Sequence, residues 1–413
     1  MRKLIVIFSL LAFAACKQTA EINPIGNGQF YRYYGNGVLR DAIPTIPEGR
    51  TLCLASDNSI IGVGTVATRS FGDSIISQAY LFKLDDKGLL TKDILIGTNY
   101  ITRAVDITTA ADGSHYLLLN IVYSQQKADS IMQVIKISDG LNISWTKTFS
   151  SDSVIQTQNQ GRAISVDDGG NLILLGNYYP GGAGISKMFT ARMNPDNGNV
   201  IWKDSLGVNN RSNPVGKTIS VYMSSNQRYA WCGNDLNKAF LKPKLIVTDE
   251  DGNIWQNNGI ESSDENTSDN ESGSELIRTD NGTFLIVGTL SESDKSTTQM
   301  RLLRVSGQGQ LLWSQTFGGD LNETGISVCE APDKGFLILG TTDSYGNGNS
   351  DIFLVKTDNA GDMLWQKTYG GPENDVASKI ISVDGGYAII GTASVAGTRL
   401  ITVIKTDLEG NTL

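Results

Sequence analysis

The sequence predicts an all-β protein built as a closed ring of repeated four-stranded units. Three observations carry this. A tryptophan recurs at one position: Trp145, Trp202, Trp255, Trp313 and Trp365, with Lys92 in its place in the first unit, at steps of 53, 57, 53, 58 and 52 residues. A continuous apolar run ending in glycine recurs upstream of it. Asp/Gly turns recur between them. A self-similar unit of this length, read as four short strands, is what a β-propeller blade looks like in sequence.

Each unit can be justified strand by strand. The first strand alternates, as in residues 163–166 (AISV), 325–328 (GISV) and 380–383 (IISV). Tight turns follow: Asp168-Gly169-Gly170, Asp280-Asn281-Gly282 and Asp384-Gly385-Gly386, where Asp and Gly suit positive φ. The second strand is apolar throughout, as in 172–176 (LILLG), 284–288 (FLIVG), 336–340 (FLILG) and 387–391 (YAIIG). With no polar face, it must be covered on both sides. The third strand reads FLVKT (353–357), LIVTD (245–249) or TVIKT (402–406), and a Gly turn such as Asp358-Asn359-Ala360-Gly361 leads to the Trp strand.

The phrase restarts after Trp365 as a seventh unit that ends at Leu413 without a Trp strand. Phe30-Tyr31-Arg32-Tyr33-Tyr34-Gly35 matches Trp365-Gln366-Lys367-Thr368-Tyr369-Gly370 in spacing. A ring must join its last sheet to its first or leave open edges. The expectation is a seven-bladed β-propeller over residues 28–413, its last blade closed by residues 29–35. At 413 residues with 45 Gly and 9 Pro, the chain exceeds a typical single domain, but each blade of a radial repeat contacts only its neighbours.

Arg2 and Lys3 precede an apolar run from Leu4 to Ala15, too short to span a bilayer and shaped like a secretory signal. Residues 1–15 read as that signal and 16–27 as a tether. The run ends Leu11-Ala12-Phe13-Ala14-Ala15-Cys16, which resembles a bacterial lipobox, with Phe13 where that signal usually carries Leu. The resemblance implies lipidation at Cys16 and attachment to the envelope, in the outer membrane, without a span. A plain secretory cut near Ala15 is the other reading. Losing Arg2 and Lys3 takes the net charge from −9 to −11, which argues against nucleic acid or anionic headgroups as partners. Cys53, Cys232 and Cys329 remain, an odd number, and read as small buried hydrophobes. A monomer is expected.

No catalytic constellation is recognisable. The single histidine, His115, sits where Phe336 sits in its unit and reads as a packing substitution. There is no zinc spacing and no phosphate loop. The repeated Asp168, Asp280, Asp333 and Asp384 belong to turns. The phrase Asp358-x-x-Gly361-x-x-x-Trp365 differs in spacing from the sialidase Asp box. It more closely resembles the quinoprotein-type propeller repeat, nearest at Met193 to Lys203, which implies that Asp, Gly and Trp tie neighbouring blades. Residues 340–356 also resemble repeats of Bacteroidota-type propeller lipoproteins. Four Asp-Ser-apolar triplets, at Asp73, Asp129, Asp152 and Asp204, resemble an O-glycosylation signal of exported proteins from such bacteria.

Once repeated residues are set aside, the variable loops remain. Phe71, Tyr100, Tyr123, Tyr178, Tyr179 and Tyr345 fall in them and are candidates for a binding rim; ordinary loop packing is the alternative. The acidic stretch Glu261 to Glu275 is read as a blade-joining loop. Asp264, Glu265, Asp269 and Glu271 could offer oxygen to calcium, or be a solvated charge run; no other cofactor or metal is expected. The functional expectation is a non-catalytic envelope lipoprotein that binds or scaffolds a protein or glycan. The alternative is an extracytoplasmic carbohydrate-active or quinone-dependent propeller enzyme.

Overall fold

The computed structural model describes residues 31–34, 48–69, 75–97, 100–122, 130–149, 159–178, 187–205, 218–223, 227–237, 240–260 and 268–413. Every regular element among them is a strand, and none is a helix that could cross a membrane. The signal segment, the tether and Cys16 lie outside the described residues.

Six four-stranded sheets are each made of four consecutive antiparallel strands, over residues 48–96, 101–149, 159–205, 218–259, 270–317 and 323–369. These are blades one to six. A further sheet combines Val376–Val383, Gly386–Val395 and Thr398–Thr406 with an N-terminal strand, Tyr31–Tyr34. The expected count of seven is corrected by this topology: six blades are self-contained, and the remaining place is a composite assembled from both ends of the described chain. The last repeat unit supplies only three strands, so it cannot be a blade by itself. Within the expected 29–35, the described residues pair Tyr31 opposite Ile404 through Tyr34 opposite Ile401.

The first strand of each sheet is innermost, and these strands touch one another all the way round, the closing sheet against blade one included. One apolar cluster fills each junction. The second strands are buried on both faces as their sequence requires, with Leu172 to Leu175 and Leu337 to Leu339 wholly inaccessible.

Among the described residues, a polar latch stands beside six of the seven apolar contacts. The residue after the glycine position of the second strand bonds the backbone of the next inner strand. Thr65 Oγ1 accepts from Ala104 N at 3.1 Å, Thr289 Oγ1 from Gly325 N at 3.2 Å, Thr341 Oγ1 from Ala377 N at 3.2 Å and Thr392 Oγ1 from Gly49 N at 3.1 Å. Asn120 and Asn234 do the same for Gly161 and Gly273 at 2.8 and 2.6 Å, and each also donates to the glycine carbonyl. The glycines permit the approach: a Cβ on Gly49 would lie 2.2 Å from the carbonyl oxygen of Gly391. Thr392 and Gly49 thus join the closing sheet to blade one without the N-terminal strand.

The tryptophans form a second lock near the rim. The indole of Trp145 lies against Gly198 in the last turn of the next blade and donates to Pro195 O at 3.1 Å. Trp202 lies against Gly252 and donates to Glu250 O at 2.8 Å. Trp313 on Gly361 and Trp365 on Gly410 repeat the stack. All four glycines have positive φ, which frees the surface that the indole covers. Facing each tryptophan across the sheet is Lys136, Arg192, Arg304 or Lys356. Three of these basic residues are paired with a turn carboxylate, Asp112, Asp167 or Asp333, at 3.8, 2.9 and 2.8 Å. The structural reading of Asp333 holds. In blade three the ion pair falls to buried Asp167, which the sequence reading passed over, and not to Asp168.

Candidate binding site at the mouth of the central channel

Six of the inner strands carry an extra residue at the same place. The pairing register slips between Gly49 and Thr51, Ala104 and Asp106, Gly161 and Ala163, Gly273 and Glu275, Gly325 and Ser327, and Ala377 and Lys379. A β-bulge sets two residues against one and re-aims side chains. Here the residues that follow the bulged position in blades two and five and the closing sheet, Asp106, Glu275 and Lys379, are aimed at polar partners, whereas bulged Val105 and Ile326 pack in the apolar junctions.

The successors build a floor. Lys379 of the closing sheet is ion-paired with Glu275 of blade five, although blade six stands between them. That contact crosses the axis. Glu275 Oε2 also accepts from Val328 N at 3.0 Å. Asp106 of blade two accepts from Ile164 N at 3.0 Å and Ile107 N at 2.9 Å. Burial pushes the Asp106 carboxyl up to about 6, against these hydrogen bonds and the nearby Lys379 ammonium. Burial holds the Lys379 ammonium below its usual range, with Asp106 opposing.

Above the floor, toward the blade-joining loops, three arginines stand on three successive inner strands. Arg50 belongs to Glu48–Leu54, Arg103 to Ile101–Thr109 and Arg162 to Asn159–Val166. Arg50 and Arg103 are exposed. Arg50 pairs with Glu48 at 2.9 Å, and Arg162 Nη2 donates to Gln160 at 3.0 Å. Ser274 and Ser378 hold the bulged position in blade five and the closing sheet, and Ser378 donates to Gly49 O at 2.6 Å. On these three inner strands, three guanidiniums stand above the floor with one carboxylate, Glu48, in a chain of net charge −9. The sequence reading did not find these arginines. They share no repeat position: Arg50 and Arg162 follow the small residue before the bulge, whereas Arg103 precedes it.

Most other buried carboxylates serve the frame. Glu323 accepts from Gly319 N at 3.0 Å and from Thr342 at 2.7 Å. Asp375 accepts from Gly371 N at 2.7 Å and Ser394 N at 3.1 Å, and burial pushes its carboxyl up to about 6. These are the acids that cap the repeated Gly-Gly loops. Asp351 caps Gly348 N at 2.9 Å, which accounts for the last acid of the 340–356 phrase.

On the opposite face, the hairpin turns of blades one and two and the closing sheet enclose a groove of about 800 Å³. Lys83, Lys92 and Lys405 line it with Asp57, Asp85, Asp139 and Asp384. Lys83 pairs with Asp57 at 3.0 Å, and Lys405 donates to Asp86 O at 2.9 Å. Behind it His115 is fully buried, with Nε2 2.9 Å from Asp139 and Nδ1 3.0 Å from Thr109. It is a hydrogen-bonded link between turns rather than an apolar packing substitution. Among the described residues Cys53, Cys232 and Cys329 form no disulfide, and burial pushes the Cys53 and Cys329 thiols up to about 12.

Of the six expected rim residues, the structure describes Tyr100, Tyr178 and Tyr345. Phe71, Tyr123 and Tyr179 lie outside the described residues. Tyr178 belongs to the second strand of blade three and packs on its core. Tyr345 packs against Phe353 at 5.5 Å and donates to Gly318 O at 3.0 Å. Tyr100 is exposed. The acidic stretch is corrected as well: Asn270–Arg278 is an inner strand, not loop. There Glu271 is buried and paired with Arg301 at 2.9 Å. Asp269 accepts from Ser293 N at 2.8 Å, and Asp264 and Glu265 lie outside the described residues. Among those residues, no three His, Cys, Asp or Glu side chains gather as a metal site.

No family model matches the chain. Over 130 residues it is 24% identical to the regulatory protein FlaEY of Caulobacter vibrioides, which covers 28% of this chain and only 13% of that protein. Solved structures share the fold. A protein of unknown function from Dyadobacter fermentans is 13% identical, over 76% of this chain and 97% of that one, with a TM-score of 0.52. The periplasmic gluconolactonase PpgL of Pseudomonas aeruginosa is 16% identical over 84% and 93%, at 0.54. A PL25 ulvan lyase is 10% identical over 90% and 93%, also at 0.54. At these identities the likeness shows the β-propeller and nothing finer.

Proposed function

We propose that this protein is a binding propeller of the bacterial envelope, tethered through Cys16, which takes its ligand at the loop-side mouth of the channel. The observation that carries this reading is the layered channel. Arginines and hydroxyls are offered at the mouth, while the acids of the floor are engaged by backbone N–H groups and Lys379. A site whose polar groups are held by the frame is pre-organised for binding. The partner is an envelope protein or glycan. Ser274→Trp would plug the mouth; glycan-array binding by the wild type that this variant loses supports the reading, and binding indifferent to the plug overturns it.

A second reading has one observation in its favour. A carboxyl near 6 beside a lysine of lowered basicity suits proton transfer, and it makes the channel a catalytic site for a bound carbohydrate. Mass change in a bound oligosaccharide, abolished by Asp106→Asn with binding retained, would establish that reading. An unchanged oligosaccharide would leave the binding role.

A further inference from the structure

We infer that the ligand of the channel mouth is a small hydroxylated carboxylate, an acid of the glucuronate kind. The inference rests on the proposed channel-mouth reading and names its chemistry. Three lines lead to it. The first is placement: Arg50, Arg103 and Arg162 come from inner strands in direct contact, blade one with two and two with three. Their strands run away from the loop face, and each arginine lies within the first four residues of its strand. All three guanidiniums therefore belong to one arc of the mouth.

The second is charge. Within the inner strands of blades one to three, the only acids are Glu48 and Asp106. Glu48 is paired with Arg50, and Asp106 is turned to the floor and two backbone donors. Among the described residues of these strands, cations outnumber anions above the floor, although the chain as a whole is acidic. A guanidinium is a planar fork that matches a carboxylate with two parallel hydrogen bonds.

The third is the opposite arc. Ser274 and Ser378 occupy the bulged position there, and exposed Thr324 stands one place before the small residue of blade six. Hydroxyls that both donate and accept suit the hydroxyls of a sugar acid. A carboxylate on the arginine arc would thus leave the rest of a small hydroxylated ring facing hydroxyls, above a floor closed by Lys379 and Glu275.

The test uses the full chain titrated calorimetrically with sodium glucuronate, with glucose, and with sodium sulfate, at low and at moderate salt. The proposal expects glucuronate to bind and glucose to bind at least about tenfold more weakly, in line with losing charged hydrogen bonds. It also expects affinity to fall as salt rises. Arg103→Gln should weaken glucuronate about tenfold or more, and Arg103→Lys should recover only part of that, because the ammonium lacks the fork. Arg103 is exposed, so both variants should keep the wild-type unfolding temperature. Equal binding of glucose and glucuronate, both lost in Ser274→Trp, would overturn the carboxylate class and leave the channel-mouth reading standing. Glucuronate binding that survives both Arg103→Gln and Ser274→Trp would overturn both. Sulfate binding as tightly as glucuronate would show a general anion site and overturn the sugar-acid assignment.

Discussion

Two kinds of junction in the ring solve one packing problem in opposite ways. Between blades two and three, three and four, five and six, and six and the closing sheet, a tryptophan reaches across and the receiving turn offers a bare glycine. Between blades one and two the reaching residue is Lys92, and the receiving turn places Leu141 at positive φ, 55°. Leu141 is 2% exposed and belongs to the apolar cluster of that junction. A Cβ on Gly198, Gly252, Gly361 or Gly410 would point into the indole at 2.7 to 3.0 Å. Leu141 projects its side chain from the matching position and fills that space from the other side. Lys92 keeps the polar half of the contact, donating to Gly140 O and, at 3.3 Å, to Asn142. Volume across a junction is conserved while its source changes, as close packing demands.

This comparison can be broken directly. Trp365→Ala should cost about 3 kcal/mol or more, as for other large-to-small core changes. Lys92→Ala should cost under about 1 kcal/mol, as for exposed polar contacts. Urea unfolding of the two variants checks the contrast, and equal losses would refute it. Lys92→Trp alone should destabilise by about 1–3 kcal/mol through crowding on Leu141. Adding Leu141→Gly should recover part of that, with a favourable coupling on the order of 1 kcal/mol. Additive losses would mean that the two side chains do not share one space. Gly410→Ala should cost more than Gly397→Ala, which is left with only the φ penalty of about 1 kcal/mol. Both glycines have φ near 75°, but only Gly410 has an indole 2.7 Å from where a Cβ would stand.

The smallest effect expected is on pH dependence. Asp106 and Asp375 both titrate near 6 in the fold, above the ordinary carboxylate. Their folded forms hold the proton longer than the unfolded chain does, so their contribution to stability falls as pH rises from about 4 through about 6. Asp57 opposes this at lower pH: hydrogen bonds from Ser59 and Lys83 bring it down to about 2, so its contribution is lost as pH falls from about 4 toward 2. The unfolding temperature should therefore peak on the mildly acidic side. Asp106→Asn should flatten the decline from pH 5 to 7. A decline unchanged in that variant would remove Asp106 as its cause.

The frame was largely legible in the sequence. The tryptophan recurrence located blades two to six, and in four of them the indole has one fixed partner, the glycine of the next blade's turn. The restart at residue 375 and the aromatic phrase near residue 30 foretold a closing strand, and the described residues Tyr31–Tyr34 pair as one. The latch was equally present, as a Thr or Asn following the glycine position of the second strand. It went unread because its partner is a backbone N–H some forty residues away. The candidate site was not legible at all. Arg50 and Arg162 are bulged residues, whereas Arg103 stands two places earlier in its repeat unit. No common column marks them, and only the convergence of inner strands at the axis brings them together. The loop tyrosines misled for a related reason. Tyr178 and Tyr345 differ between units, yet their contacts are local packing.

The central claim is that unrepeated function lies at the channel mouth and not in the groove on the turn face. Anomalous diffraction from crystals soaked in selenate addresses it most directly, because the two places offer separate cationic sets. The prediction is a selenium peak among Arg50, Arg103 and Arg162. A peak between Lys83 and Lys405 in the groove, with none at the mouth, would contradict it.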